Sequence, residues 1–235
     1  MKDIIIHEVG LRDGLQMEKQ TVPMGQKAKW VEQLIEARVD IIQLGSFVHP
    51  EKVPQMADTD GLFQYFGEVE KPAGMLFSGL VLNEKGLERG LACGVEMFCM
   101  GVSASETHSR KNTGMSIAEA TDRIIAIAKN ALEAEAKVQV SVQSAFGCGY
   151  EGHVPQEQVM KIVEQYLNAG IRNISLADTA GHATPDQVEK MFRAILEFDD
   201  NIECACHFHN TYGLGLANVY AALKSGVKYF ESSVA

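Results

Sequence analysis

Two histidines one residue apart, His207 and His209, close an apolar run that reads Cys204-Ala-Cys-His-Phe-His. Alternate side chains of a β-strand share a face, so both imidazoles reach the same side. Two imidazole nitrogens and a carboxylate, with coordination positions left over, bind a divalent cation and leave room for a substrate oxygen. The candidate carboxylate is Asp13, at the end of the first apolar run; it meets the histidines only if the sheet closes on itself. Cys204 and Cys206 would enrich the set with thiolates, but their parity is opposite to that of His207 and His209. Both therefore read as small core residues. Without thiolates the donors favour Mg²⁺ or Mn²⁺, and an O/N site also accommodates Zn²⁺ or Co²⁺. The plainer alternative is that one or both histidines are hydrogen-bonded strand residues with no metal.

Other polar clusters fall at equivalent places. Arg12-Asp13-Gly14-Leu15-Gln16 follows the run Ile4–Val9, Gln43 and Ser46 lie in Ile41–Phe47, and Asp178-Thr179 follows Ile174–Ala177. The other runs are Met75–Leu82, Met97–Val102, Val138–Phe146, Cys204–His209 and Tyr229–Val234. Amphipathic stretches separate them. Ser116-Ile-Ala-Glu119 reads as a capping box opening a helix through about Glu133. Thr184-Pro185 supplies an N-cap and first-turn proline for a helix ending near Glu197. Gly170 and Gly226 stand where a helix is expected to stop. Strand–helix alternation implies parallel strands with crossover helices. Eight strand candidates predict a (β/α)8 barrel, with a doubly wound open sheet as the weaker option. Reactive groups of such barrels sit at the C-terminal strand ends, where these clusters fall.

Composition narrows the function. The 235 residues are 46% hydrophobic, with 21 Lys+Arg against 31 Asp+Glu and a formal charge of −10. That balance opposes nucleic-acid and anionic-membrane partners, which call for clustered basic residues. Met1-Lys2-Asp3 leads straight into a strand-like segment and no run of about 18 apolar residues occurs, so neither export signal nor membrane span is read. Five irregularly spaced cysteines suit a reducing compartment, and a cytoplasmic protein is expected. One domain over 1–235 is predicted. The last run ends with the chain, and a complete barrel has a further helix there, so the sequence reads as a piece lacking its final helix and C-terminal region.

Longer motifs carry a resemblance. Val9-Gly-Leu-Arg-Asp-Gly-Leu-Gln-Met-Glu-Lys19 resembles the first-strand signature of the 3-hydroxy-3-methylglutaryl-CoA lyase family. Ser46-Phe-Val-His-Pro50 with Val53-Pro-Gln-Met56 is similar to that family's second βα loop. Ser103-Ala-Ser-Glu106 with Arg110-Lys-Asn112, Gly147-Cys-Gly-Tyr-Glu-Gly152, Ser175-Leu-Ala-Asp-Thr179 and His207-Phe-His-Asn-Thr-Tyr-Gly213 continue the match in order. Ser232-Ser-Val-Ala235 resembles the segment before the family's glycine-rich catalytic loop. The Arg-Asp-Gly triplet alone indicates only the wider group of metal-dependent barrel lyases, aldolases and Claisen synthases.

The resemblance implies retro-Claisen cleavage of 3-hydroxy-3-methylglutaryl-CoA to acetyl-CoA and acetoacetate, and a homodimer by family analogy. It implies Asp13, His207 and His209 as metal ligands and Arg12 as the stabiliser of enolate charge, with Asp13 taking part in proton transfer. Gln16 and Asp178-Thr179 are implied to orient substrate or ligands, as is position 43, and Asn112 to lie near the coenzyme A entrance. Plainer readings stand beside these: an Arg12–Asp13 ion pair at the rim, Asp178-Thr179 as a turn or helix cap, Cys148 as a structural loop residue. Two departures stand out. The family's loop with a catalytic cysteine, and an asparagine ligand beyond it, lie past Ala235; and Gln43 occupies a position where the family typically has glutamate. A neutral amide neither balances Arg12 nor accepts a proton. A paralogue for another 3-hydroxyacyl-CoA, a synthase or aldolase of the same superfamily, and a non-catalytic binding relative are the competing expectations.

Overall fold

Each short β-branched run becomes a strand, and each amphipathic stretch a helix, in a computed structural model that describes residues 4–199 and 201–234. Met1-Lys2-Asp3 and Ala235, used above at the two ends of the chain, lie outside the described residues. The strands are β1 (Ile5–Glu8), β2 (Ile41–Ser46), β3 (Leu76–Leu80), β4 (Met97–Ser103), β5 (Lys137–Gln143), β6 (Asn173–Asp178), β7 (Glu203–Phe208) and β8 (Tyr229–Ser232). They close in sequence order into a barrel, with parallel ladders. This is the (β/α)8 architecture; the open sheet is set aside. Between the strands run α1 (Met24–Glu36), α2 (Thr59–Gly67), α3 (Glu84–Ala92), α4 (Glu106–Thr113), α5 (Ile117–Glu133), α6 (Gln156–Asn168), α7 (Pro185–Leu196) and α8 (Gly215–Lys224). Among the described residues no helix is long and apolar enough to cross a membrane.

The helix ends follow the sequence signals. Ser116 N–H and hydroxyl both meet Glu119 Oε2, and Glu119 N–H donates back to Ser116 Oγ, which is the capping box at the head of α5. Thr184 N–H donates to Gln187 Oε1 at the head of α7. Gly170 and Gly226 take φ of 85° and 98° just past α6 and α8, a left-handed conformation that glycine adopts without a Cβ penalty.

The chain divides into two compact units, and the division passes through β4, β5, β8 and α5. One unit holds residues 5–99, 130–138 and 231–234. In it β2 is buried along its whole length, as parallel strands covered on both faces are. The β2–β3 ladder pairs Gln43 with Ser78, then skips a residue to pair Gly45 with Gly79 and Ser46 with Leu80. That bulge needs glycine: a Cβ on Gly45 would lie 2.3 Å from Thr59 Oγ1. The other unit holds residues 100–129 and 139–230. Its helices bury stripes at i, i+3, i+4 and i+7, namely Val159, Ile162, Val163 and Tyr166 on α6 and Val188, Met191, Phe192 and Ile195 on α7, the spacing of one helical face.

Candidate functional site

Arg12 and Asp13 sit on a π-helical turn, Gly10–Gly14, that starts immediately after β1. Asp13 N–H and Arg12 N–H both donate to Val9 O, at 2.7 and 3.0 Å. Such wide turns are uncommon and recur at functional sites. The turn folds the Arg12 guanidinium so that Nε donates to Gln43 Oε1 at 2.5 Å and Nη1 meets Asp13 Oδ1 at 2.6 Å. The rim ion pair is therefore present, and it is partly buried. Gln16 follows on a short helical extension and is half-buried. Gln43 is 1% exposed.

Strict alternation would put Gln43 and Ser46, an odd number apart, on opposite faces; the bulge brings both to the face of their partners Ser78 and Leu80. That face also carries His7, whose Nε2 lies 2.7 Å from Ser78 Oγ. It carries Cys99 as well, whose thiol burial pushes up to about 12; the nearby Glu231 carboxylate adds to this, while Arg12 and hydrogen bonds with Ser78 and Gln43 oppose it.

A buried carboxylate missed by the sequence reading supports the turn from the other face. Glu8, 1% exposed, accepts Gly10 N–H and Val234 N–H on Oε1 and the Ser232 hydroxyl on Oε2. Val9 N–H donates to Ser232 O, so β1 and the end of β8 are tied by backbone and side chain alike. Nothing in local sequence distinguishes Glu8 from a solvent-facing acid; two of its three partners are more than 200 positions away. Lys27 was also unmarked: α1 buries it, and Nζ donates to Asp58 Oδ1 at 2.7 Å and to Gln55 O.

In the other unit the structure brings His207 and His209 together. Their Nε2 atoms are 3.0 Å apart and the rings 4.9 Å between centroids. Two ring nitrogens facing each other cannot both be lone pairs or both carry protons without repulsion, whereas a shared cation or a single proton satisfies both. The donor chemistry fits a divalent ion. Cys204 and Cys206 are buried, and burial pushes the Cys204 thiol up to about 12, as expected of core residues.

Asp178 is fully buried, and its two oxygens accept His182 N–H at 2.8 Å and Ala183 N–H at 3.0 Å. Burial pushes its carboxyl up, against those bonds and the pull of His209 and His182. Thr179 is exposed and its hydroxyl accepts Ser144 N–H at 2.9 Å. The turn-and-cap reading of this pair is thus realised, with Asp178 close enough to His209 to feel its charge. Asn112 is exposed near the end of α4. Cys148 is buried in a loop clasped by reciprocal backbone bonds to Gly152. Burial raises its thiol, but hydrogen bonds from Ser105 and the Glu151 and Tyr150 backbone outweigh this and lower it.

Comparison with known proteins finds that residues 3–235 match the HMGL-like family model. A hydroxymethylglutaryl-CoA lyase of Bacillus subtilis is 37% identical over 232 residues, covering 99% of this chain and 77% of that protein. A 3-hydroxy-3-isohexenylglutaryl-CoA/hydroxy-methylglutaryl-CoA lyase of Pseudomonas aeruginosa is 36% identical over 234 residues, covering 100% and 77%. Among solved structures, an HMG-CoA lyase from Acinetobacter baumannii in complex with coenzyme A and 3-methylmalate superposes with a TM-score of 0.88 at 32% identity, covering 98% of this chain and 74% of that one.

Proposed function

This chain belongs to the HMGL-like family, and on that premise we propose that it cleaves 3-hydroxy-3-methylglutaryl-CoA to acetyl-CoA and acetoacetate in a metal-dependent retro-Claisen reaction. It is a carbon–carbon lyase by kinship. The observation that carries the metal reading is the histidine pair, His207 and His209, whose Nε2 atoms lie 3.0 Å apart at the end of β7; the resemblance adds Asp13 as the carboxylate. Mg²⁺ or Mn²⁺ held there supplies a Lewis acid that lowers the pKa of a substrate hydroxyl.

The chain's own residues do the rest. Arg12 is held by Gln43 and Asp13, so its donors are fixed before substrate arrives. A preorganised donor facing the thioester enolate is worth about 3–4 kcal/mol. Asp13, as a ligand, is a weakened base but lies beside Arg12 and takes part in moving the hydroxyl proton. Gln16, Gln43 and Thr179 line and orient the substrate; Asp178, which fixes the loop after β6 through His182 and Ala183 N–H, helps orient the substrate or the ligands. Asn112 marks the entrance for coenzyme A. We read residues 1–235 as one catalytic domain of a cytoplasmic homodimer, without nucleic-acid or membrane partners.

A second substrate has a specific motive. The Pseudomonas relative's name records a longer branched acyl group beside the methyl one, and Gln43 is a neutral residue beside Arg12. The test is acetoacetate release from 3-hydroxy-3-methylglutaryl-CoA with Mg²⁺ or Mn²⁺, beside a chelator control and His207→Ala. Metal-dependent product abolished by the substitution is expected. A folded, metal-loaded protein that releases none is not this lyase; product from the isohexenyl thioester would then identify the longer substrate, condensation with a keto acid a synthase, and neither a binding relative.

A further inference from the structure

Gln43 leaves the Arg12 guanidinium beside a neutral amide, with Asp13 as its carboxylate partner. If Asp13 serves the metal, its charge is drawn away from Arg12. The inner face of the same unit carries one more carboxylate, on β8. Ser232 points outward, where its hydroxyl meets buried Glu8. Its neighbour Glu231 therefore lies on the opposite face. Across the β1–β8 pairing made by Val9 N–H and Ser232 O, Glu8 likewise faces outward and His7 inward, to Ser78. Ser78 pairs with Gln43 on β2. Glu231, His7, Ser78 and Gln43 thus share one face, and Glu231 is only half-exposed. A second observation agrees: the buried Cys99 thiol feels Glu231 and Arg12 with opposite sign while hydrogen-bonding with Gln43 and Ser78.

We propose that Glu231 is a positioning residue for Arg12, supplying from β8 the negative charge that Gln43 does not supply from β2. Its carboxylate holds the guanidinium in place and in register with the reacting face when Asp13 is engaged elsewhere. This inference rests on the lyase reading, and the experiment separates the two.

Glu231→Gln and Glu231→Asp are compared with the wild-type protein by steady-state acetoacetate release and by the Arg12 side-chain N–H resonance, assigned through its loss in Arg12→Lys. The resonance is read in the wild type and each variant irrespective of turnover. Expected are a shift of that resonance in Glu231→Gln, a fall in kcat on the order of tenfold with KM nearly unchanged, and a milder effect in Glu231→Asp. Adding Gln43→Glu to Glu231→Gln should recover most of kcat, which a merely structural role would not allow. An unmoved resonance overturns the proposal whether or not the protein turns over substrate. A shifted resonance in a protein with no lyase activity supports the Arg12–Glu231 coupling and rejects the substrate. Equal kcat in Glu231→Gln and wild type also overturns the proposal.

Discussion

Removing the Glu8 side chain is expected to cost more than any exposed substitution in the chain. Glu8→Ala leaves Gly10 N–H and the Ser232 hydroxyl without their 2.8 Å acceptor contacts, and Val234 N–H without its 3.0 Å one. An unsatisfied buried polar group costs about 1–3 kcal/mol. Two such groups, with a smaller share from Val234 at the surface, make roughly 3–5 kcal/mol, a large fraction of the ~5–15 kcal/mol that stabilises a domain. Glu8→Gln is the control. Its amide oxygen still accepts both N–H groups, and its NH₂ donates to Ser232 Oγ, which is acceptor as well as donor. About 1 kcal/mol or less is expected for it. Urea unfolding followed by far-UV circular dichroism measures both. Because the same carboxylate anchors the turn that carries Arg12 and Asp13, Glu8→Ala should also lose activity at temperatures where it remains folded. A Glu8→Ala protein within about 1 kcal/mol of wild type, or a Glu8→Gln protein as damaged as Glu8→Ala, refutes the bonding account.

Three further outcomes follow. Gly45→Ala drives a methyl to 2.3 Å from Thr59 Oγ1 and should lower stability by about 1–3 kcal/mol; combining it with Thr59→Ala should give part of that back in the same urea assay. Burial holds the His108 imidazole below its ordinary 6.5, against the pull of Glu151. The unfolded chain therefore binds a proton first as pH falls, so this contribution to stability is present above about 6.5 and lost on descent toward the folded value. Urea midpoints at neutral and mildly acidic pH should differ less in His108→Gln than in wild type, and an equal difference would exclude His108 as the source. Native alkylation at mildly alkaline pH, read by mass spectrometry, should label half-exposed Cys93 well before Cys99 and Cys204, whose thiols burial pushes to about 12.

Eight strands, their order and the ends of several helices were legible because they rest on local signals: β-branched runs, the Ser116–Glu119 box, Thr184-Pro185, the glycines past α6 and α8. The histidine pair was legible too, since parity along a strand is a property of sequence. What was not legible depends on partners far along the chain. Glu8 and Lys27 look like ordinary surface charges until β8 and the loop before α2 arrive to accept or donate. The π-helical turn has no recognised sequence signature, so Arg12 and Asp13 could be placed at a strand end, and Gln43 set beside Arg12 only through the family resemblance. Asp178 was read with two roles open, and only its bonds to His182 and Ala183 show it capping a loop.

The extra residue in β2 has a consequence for how this strand tolerates change in length. Because one residue is skipped between Gln43 and Gly45, the strand is one residue longer than the ladder it serves, and two polar side chains an odd number apart come to look the same way. Deleting Leu44 would regularise the ladder, yet it would preserve the pairing on both sides, so its damage would be confined to the strap of chain next to Thr59. An insertion at the same place has no such refuge: every residue from Ser46 onward would change sides, turning Phe47 from the helical layer, where it packs on Phe63, toward the polar interior. Length variation in this strand should therefore be one-directional, with shortening survivable and lengthening not.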